Sequence, residues 1–320
     1  MRKADSMNAD RTGGTSQRCA NPPVVFSLDQ IIDDIERAGL DCGGRIAARH
    51  MLERVSYHHL KPYVNVVASA SSSNRPHVKV AHDLMTFDRR ISSVILKYIG
   101  VFEAQLKARY SQLMAEAHGP FAAYDSSLFL RKEKHDESLR QAETELKRQS
   151  AKNAPGVSAA LAKYNGKAPL WIMLECALFG TASKLYSNTA DTEVTSLVAA
   201  SFNLNKDKMT SWARTLNDAR NVCAHFNPYI VRKQIPSVPK PLRSLPGSHT
   251  SPFYAVPMLE HTLESDALRF GDTNLDYSLR LRQDAASEVA DFAELYIDLV
   301  AYLGIPSLYV DTTASSKSPH

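Results

Sequence analysis

Arg220, Asn221 and His225 stand inside one short stretch, Arg-Asn-Val-Cys-Ala-His. In a helix it would span about one and a half turns, at ~1.5 Å rise per residue. A guanidinium binds phosphate through a planar fork of donors. Imidazole takes and gives protons near neutral pH, and a carboxamide can orient either group. Together the three side chains could grip a phosphodiester and move a proton beside it. Chance supplies patterns this short, so the surrounding elements must give it context.

The element carrying the stretch reads as a helix from about Lys206 to Phe226. At roughly 100° per residue, Trp212, Leu216, Ala219, Cys223 and Phe226 share one side and face a core. Arg214, Asn217, Asp218, Asn221 and His225 fall opposite, with Arg220 on the flank. A core-filling histidine would sit on the other side of this wheel. Cys223 points inward while His225 points outward, so it reads as a packed thiol rather than part of a metal or thiolate site.

Other segments supply the frame. Leu84, Phe87, Ile91, Val94, Ile95, Tyr98, Phe102 and Leu106 recur every three or four residues, one apolar face of a long helix. Its polar face carries Arg89, Arg90 and Lys107, candidate RNA contacts on what is ordinarily a solvated surface. Glu103 and Lys107 form an i,i+4 pair of ~0.3–0.5 kcal/mol. Upstream, a first helix follows Ser27, and a second ends in Tyr57-His58-His59-Leu60-Lys61-Pro62-Tyr63. That cluster reads either as half-buried packing or as an RNA-facing edge, with Tyr57 or Tyr63 stacking on a base beside His58 and Lys61.

Four regions follow: a disordered N-terminus (1–25), an N-terminal helical subdomain (26–76), a core (77–235), and a Pro-rich connection with a C-terminal helix (236–320). Within the core, residues 131–152 are densely charged and read as an exposed arm. The segment after Pro169 (Leu170, Trp171, Met173, Leu174, Phe179) is apolar all round and reads as buried, with Glu175 needing a partner. The last helix runs from about Leu281 to Leu303, and the tail from Thr312 reads as loose. There is no strand periodicity and no repeat. The fold class is all-α.

Composition bounds the function classes. Thirty-eight Lys+Arg against 34 Asp+Glu gives +4, which permits an RNA partner without demanding one. The four cysteines have no paired spacing, so neither a zinc site nor a disulfide framework is expected, and reduced thiols fit a cytoplasm. No apolar run approaches the ~20 residues of a membrane span, and the N-terminus lacks a signal-peptide core. Gly-rich phosphate loops, a Gly-x-Ser-x-Gly elbow and a His-Glu-x-x-His zinc motif are missing.

Several stretches together resemble the Abi-like (AbiD/AbiF-type abortive-infection) family, a branch of the HEPN superfamily. They are Val55 through Tyr63, Phe87-Asp88-Arg89-Arg90 opening a helix that reaches Glu103, Trp171 with Glu175, Phe179-Gly180, Arg220 through His225, and Gly304-Ile305-Pro306. The resemblance implies a HEPN-type helical bundle, with a small N-terminal helical subdomain and a C-terminal helical extension. It implies a homodimer whose Arg-x4-His motifs face each other across a composite cleft. In active members such a cleft cuts RNA without a metal or other cofactor. It further implies a role in phage defence in a bacterial cytoplasm, with a small non-coding RNA as partner and neither DNA nor membrane. Arg220, Asn221 and His225 would be catalytic, giving 2′,3′-cyclic phosphate ends. Two departures stand out: Lys107 where Arg is commoner, and Phe226-Asn227-Pro228-Tyr229 in place of an Arg and a Trp-Asn. The competing reading is a module that binds a small RNA without cutting; a purely structural helical dimer ranks below both.

Overall fold

A computed structural model of the chain describes residues 26–70, 75–154, 156–233, 235, 237–270 and 276–310. The expected disorder of 1–25 and the loose tail from Thr312 lie outside them. The described residues form α-helices and no strand. In order these are α1 (Leu28–Arg37), α2 (Arg45–Leu52), α3 (Tyr57–Ala70), α4 (Val78–His118), α5 (Lys132–Ala151) and α6 (Val157–Lys163), followed by α7 (Leu170–Cys176), α8 (Phe179–Asn188), α9 (Thr192–Ala200), α10 (Lys206–Ala224), α11 (Ala255–Phe270) and α12 (Tyr277–Tyr302). The chain is all-α.

α4 is the axis. Its 41 residues reach about 60 Å at ~1.5 Å each, and α3, α7, α9, α10, α11 and α12 all pack on it. Leu84, Phe87, Ile91, Ile95, Tyr98, Phe102, Leu106, Tyr110 and Met114 are buried along it. His77 caps its start by accepting from the Lys79 amide at 3.0 Å. There the N-terminal helices are tied on: Asp41 N–H donates to Pro76 O (2.9 Å) and Val78 N–H to Asp41 O (2.7 Å). Gly43 has φ +64°, and a side chain there would run into the His77 ring. On the far side, Phe87 stacks on Phe292 of α12 with centroids 4.4 Å apart.

Several expectations are corrected. The Tyr57–Tyr63 cluster opens α3 rather than ending the helix before it, with Pro62 inside that helix. Residues 131–152 are no arm: α5 packs against α7 and α8 through buried His135, Ser138, Ala142 and Leu146. That seam has a single large apolar side chain, Leu146, among small and polar ones, so hydropathy does not mark it. The segment after Pro169 is two helices, broken by extended Ala177 and Leu178. Trp171 and Leu178 are half exposed and Glu175 is exposed, so that segment is not buried all round. The Pro-rich connection also contains α11, where Pro257 sits harmlessly in the first turn. No helix among the described residues is long and apolar enough to cross a membrane.

Lys107 is a structural residue here, contrary to its reading as an RNA contact. It is buried, donates to Ala177 O at 2.7 Å and pairs with Glu103 at 2.6 Å, so it closes the end of α7 onto α4. Removing it leaves a carbonyl and a carboxylate unmet in a site of low exposure. Lys107→Ala should therefore cost about 2–4 kcal/mol, read by urea unfolding, with RNA affinity unchanged. Undiminished stability together with lost RNA affinity would restore the contact reading.

Candidate functional site

α10 begins with a side-chain cap, Asn205 accepting from the Lys208 amide at 2.9 Å. It buries Trp212, Leu216, Ala219 and Cys223. Its opposite face is partly covered. Asp218 accepts from the Ser237 hydroxyl, and Asn217 lies over α8, where a Cβ on Gly180 would stand 3.1 Å from its Oδ1. Arg214, Asn221 and His225 remain exposed, and Arg220 is half-buried. Arg220 Nη1 donates to Asn221 Oδ1 at 3.4 Å, the long end of hydrogen bonding. The three motif residues are thus together at one helix end.

That end is a Schellman turn. Phe226 N–H donates to Cys223 O (3.1 Å) and Asn227 N–H to Val222 O (3.2 Å), with Phe226 left-handed at φ +51°. Glycine normally fills this position; a bulky residue held there carries strain. Phe226 was expected in the core, yet it is 63% exposed. The helical wheel stops applying once the helix ends at Ala224 and His225 becomes its C-cap. The turn therefore leaves an aromatic residue exposed directly after His225 in the chain.

What holds the turn is Asp88 of α4. It is 1% exposed and accepts four hydrogen bonds. They come from Tyr229 N–H (2.9 Å), Ile230 N–H (3.1 Å), the Tyr63 hydroxyl (2.7 Å) and the Ser92 hydroxyl (3.1 Å). Burial pushes the carboxyl up while its donors pull the other way. Tyr63 is therefore core, at 2% exposure, not an RNA-stacking residue. Cys223 packs beside Ser92, and burial pushes its thiol up to about 12.

The remaining candidates separate. The Tyr57 hydroxyl donates to Asp34, and Lys61 pairs with the same carboxylate at 3.0 Å; both fasten α3 to α1. His58 is exposed nearby. Arg90 reaches Glu288 (3.7 Å) and Asp291 (4.0 Å) of α12, which dilutes its charge. Lys107 lies about 28 Å along α4 from Asp88 at ~1.5 Å per residue. Arg89 alone of this group stays exposed beside the hub, with no ion-pair partner among the described residues. Arg232, absent from the sequence reading, joins it. Its Nε donates to Pro228 O at 2.6 Å, folding it back over the turn. Burial raises the Tyr63 phenol, and Arg89 and Arg232 are close enough to oppose that rise. The Arg232-Lys233 pair, shortly after His225, was the available signal.

The family model described as Abi-like protein matches residues 50–230, more than half of the chain. The chain belongs to the Abi-like family. No curated protein and no solved structure matches it. The Abi-like match begins in α2 and stops at Ile230, the last backbone donor to Asp88. It therefore takes in Tyr63, Asp88, the six-residue motif and its turn, and leaves α1, α11 and α12 outside. Membership points to abortive infection, a defence against phage.

Asp88 should matter to stability far more than the motif does. Asp88→Ala strands two buried amides and two hydroxyls and should cost about 3–5 kcal/mol. Asp88→Asn, keeping one acceptor oxygen, should cost less. His225→Ala should stay within ~0.5 kcal/mol, as surface changes do. Chemical unfolding of the three variants measures this; equal losses for Asp88→Ala and His225→Ala would contradict the assignment.

Proposed function

We propose that this Abi-like protein acts in phage defence by binding RNA and cutting it without a metal, with Arg220, Asn221 and His225 as its site. The supporting observation is the end of α10. An exposed imidazole, a guanidinium within reach and an exposed aromatic ring stand on a turn fixed from below by a buried carboxylate.

The chemistry follows from these groups. His225 takes the proton of a ribose 2′-OH, whose oxygen attacks the adjacent phosphorus. The bond to the 5′ oxygen breaks, and that oxygen receives a proton from an acid. Arg220 binds the phosphate and offsets the charge that grows during attack. Asn221 orients Arg220, Phe226 stacks on a base next to the scissile bond, and Arg89 and Arg232 hold flanking phosphates. DNA, lacking the 2′-OH, is not cut by this route.

One chain supplies one such imidazole, whereas the reaction needs a base and an acid. A homodimer with its two α10 ends facing supplies both, and the site is then composite. A small non-coding RNA held on the same face would restrain or direct the cutting. The rival reading keeps the same groups as phosphate ligands of a ribonucleoprotein, with no proton transfer.

Full-length protein freed of bound nucleic acid and given labelled RNA decides between them. Cutting should persist in EDTA, because side chains make both proton transfers. Arg220→Ala and His225→Ala should each lower the rate by about 10²–10⁴-fold. Full activity in both variants would sink the mechanism, and binding without cutting by the unaltered protein would favour the ribonucleoprotein.

A further inference from the structure

Thr210, Arg214, Asn217, Asn221 and His225 follow one another at intervals of four, three, four and four residues. The first four form one narrow stripe of α10, which His225 continues at the C-cap, about 22 Å long in all at ~1.5 Å per residue. α8 lies alongside in the opposite direction: its Gly180 meets Asn217, and its Ser187 shares a cavity with Thr210. Gly180, Lys184 and Ser187, four and three apart, make the matching stripe on α8. The shared cavity, of about 390 Å³, lies at the end of α10 opposite His225.

The walls of this cavity are cationic. Arg131, Lys134 and Lys184 line it against a single carboxylate, Glu137. Lys184 is 3.4 Å from that carboxylate and exposed, a weak pairing. Arg131 and Lys134 are exposed and have no ion pair among the described residues. The backbone of Arg131 is clamped on both sides by the buried Asn188 side chain: its N–H donates to Oδ1 at 3.1 Å and its C=O accepts from Nδ2 at 2.9 Å. The guanidinium thus projects from a fixed base. Arg214, exposed one turn beyond Thr210, carries positive charge from the cavity toward the motif.

We infer that this cavity holds a backbone phosphate of the same RNA strand whose scissile phosphate sits at Arg220 and His225, the strand lying along α10 between them. The inference rests on the RNA reading above. The separation exceeds the Debye length of ~8–10 Å at physiological salt, so the cavity cannot influence His225 through its field. It acts by grip alone. RNA long enough to span the stripe feels it, and a dinucleotide does not.

The test uses the full-length chain carrying His225→Ala, so that RNA is bound and not cut. Affinity for a labelled single-stranded RNA longer than the stripe is measured across a series of salt concentrations. Each phosphate contact on a single strand contributes ~0.7 to the slope of log K against log salt. Lys134→Ala with Lys184→Ala should weaken binding and, by releasing the one phosphate held there, reduce that slope by about 0.7. Lys147→Ala with Lys152→Ala, exposed cations near the end and at the C-cap of α5 that do not line the cavity, should leave the slope unchanged. In the chain with His225 intact, Lys134→Ala with Lys184→Ala should leave dinucleotide cleavage unchanged. An unaltered slope in the cavity variant, or an equal fall in the α5 control, overturns the inference and leaves the RNA reading standing. Failure of the parent to bind RNA at all overturns both, as would tight binding of an acidic protein partner in RNA's place.

Discussion

A carboxylate taken out of water must find donors, and Asp88 finds four of them on three separate parts of the chain. Tyr63 comes from α3, Ser92 from α4 itself, and Tyr229 and Ile230 from the strand of chain leaving α10. The two backbone amides matter most. They fix where the polypeptide goes after His225, and so where the α10 end can stand relative to α4. A buried charge of this kind tolerates little displacement, because any lost donor leaves a costly unmet group. The exposed side chains above it inherit that rigidity.

The same logic separates frame from site across the molecule. Groups first readable as RNA contacts turn out to join helices: Lys107 ties α7 to α4, Tyr57 and Lys61 tie α3 to α1, and Arg90 leans on α12. Of the groups left over, Arg220, Asn221, His225, Arg89 and Arg232 lie near the α10 end, while His58 stays exposed on α3. Phe226 joins the α10-end groups with its backbone in a conformation that glycine would adopt at no cost. A strained, exposed aromatic directly after a histidine in the chain is what a nucleic-acid site would retain and what a purely structural turn would not need.

How much of this was legible in the sequence depended on which physical signal carried it. The three- and four-residue recurrence of Leu84 through Leu106 gave α4, and the wheel of α10 correctly put Cys223 in and His225 out. Both rest on periodicity, which a single chain displays directly. α5 was misread because its buried seam holds one large apolar residue, Leu146, among His135, Ser138 and Ala142, too few for hydropathy to mark. Phe226 was misplaced because the wheel cannot know where a helix stops. The role of Asp88 was invisible: its donors are 25 and more than 140 residues away for Tyr63 and Tyr229, and no local pattern reports a long-range acceptor. Arg232 was hidden for the same reason, since it matters only because the chain folds back over Pro228.

The central claim is that an imidazole on a fixed turn passes protons so that RNA attacks its own backbone. The ends of the cut RNA test it most directly, by mass spectrometry of the products of the full-length protein. The account predicts a 2′,3′-cyclic phosphate on one side of each cut and a 5′-hydroxyl on the other. A 3′-hydroxyl paired with a 5′-phosphate would mean that water, not the 2′ oxygen, attacked the phosphorus, and would contradict the account.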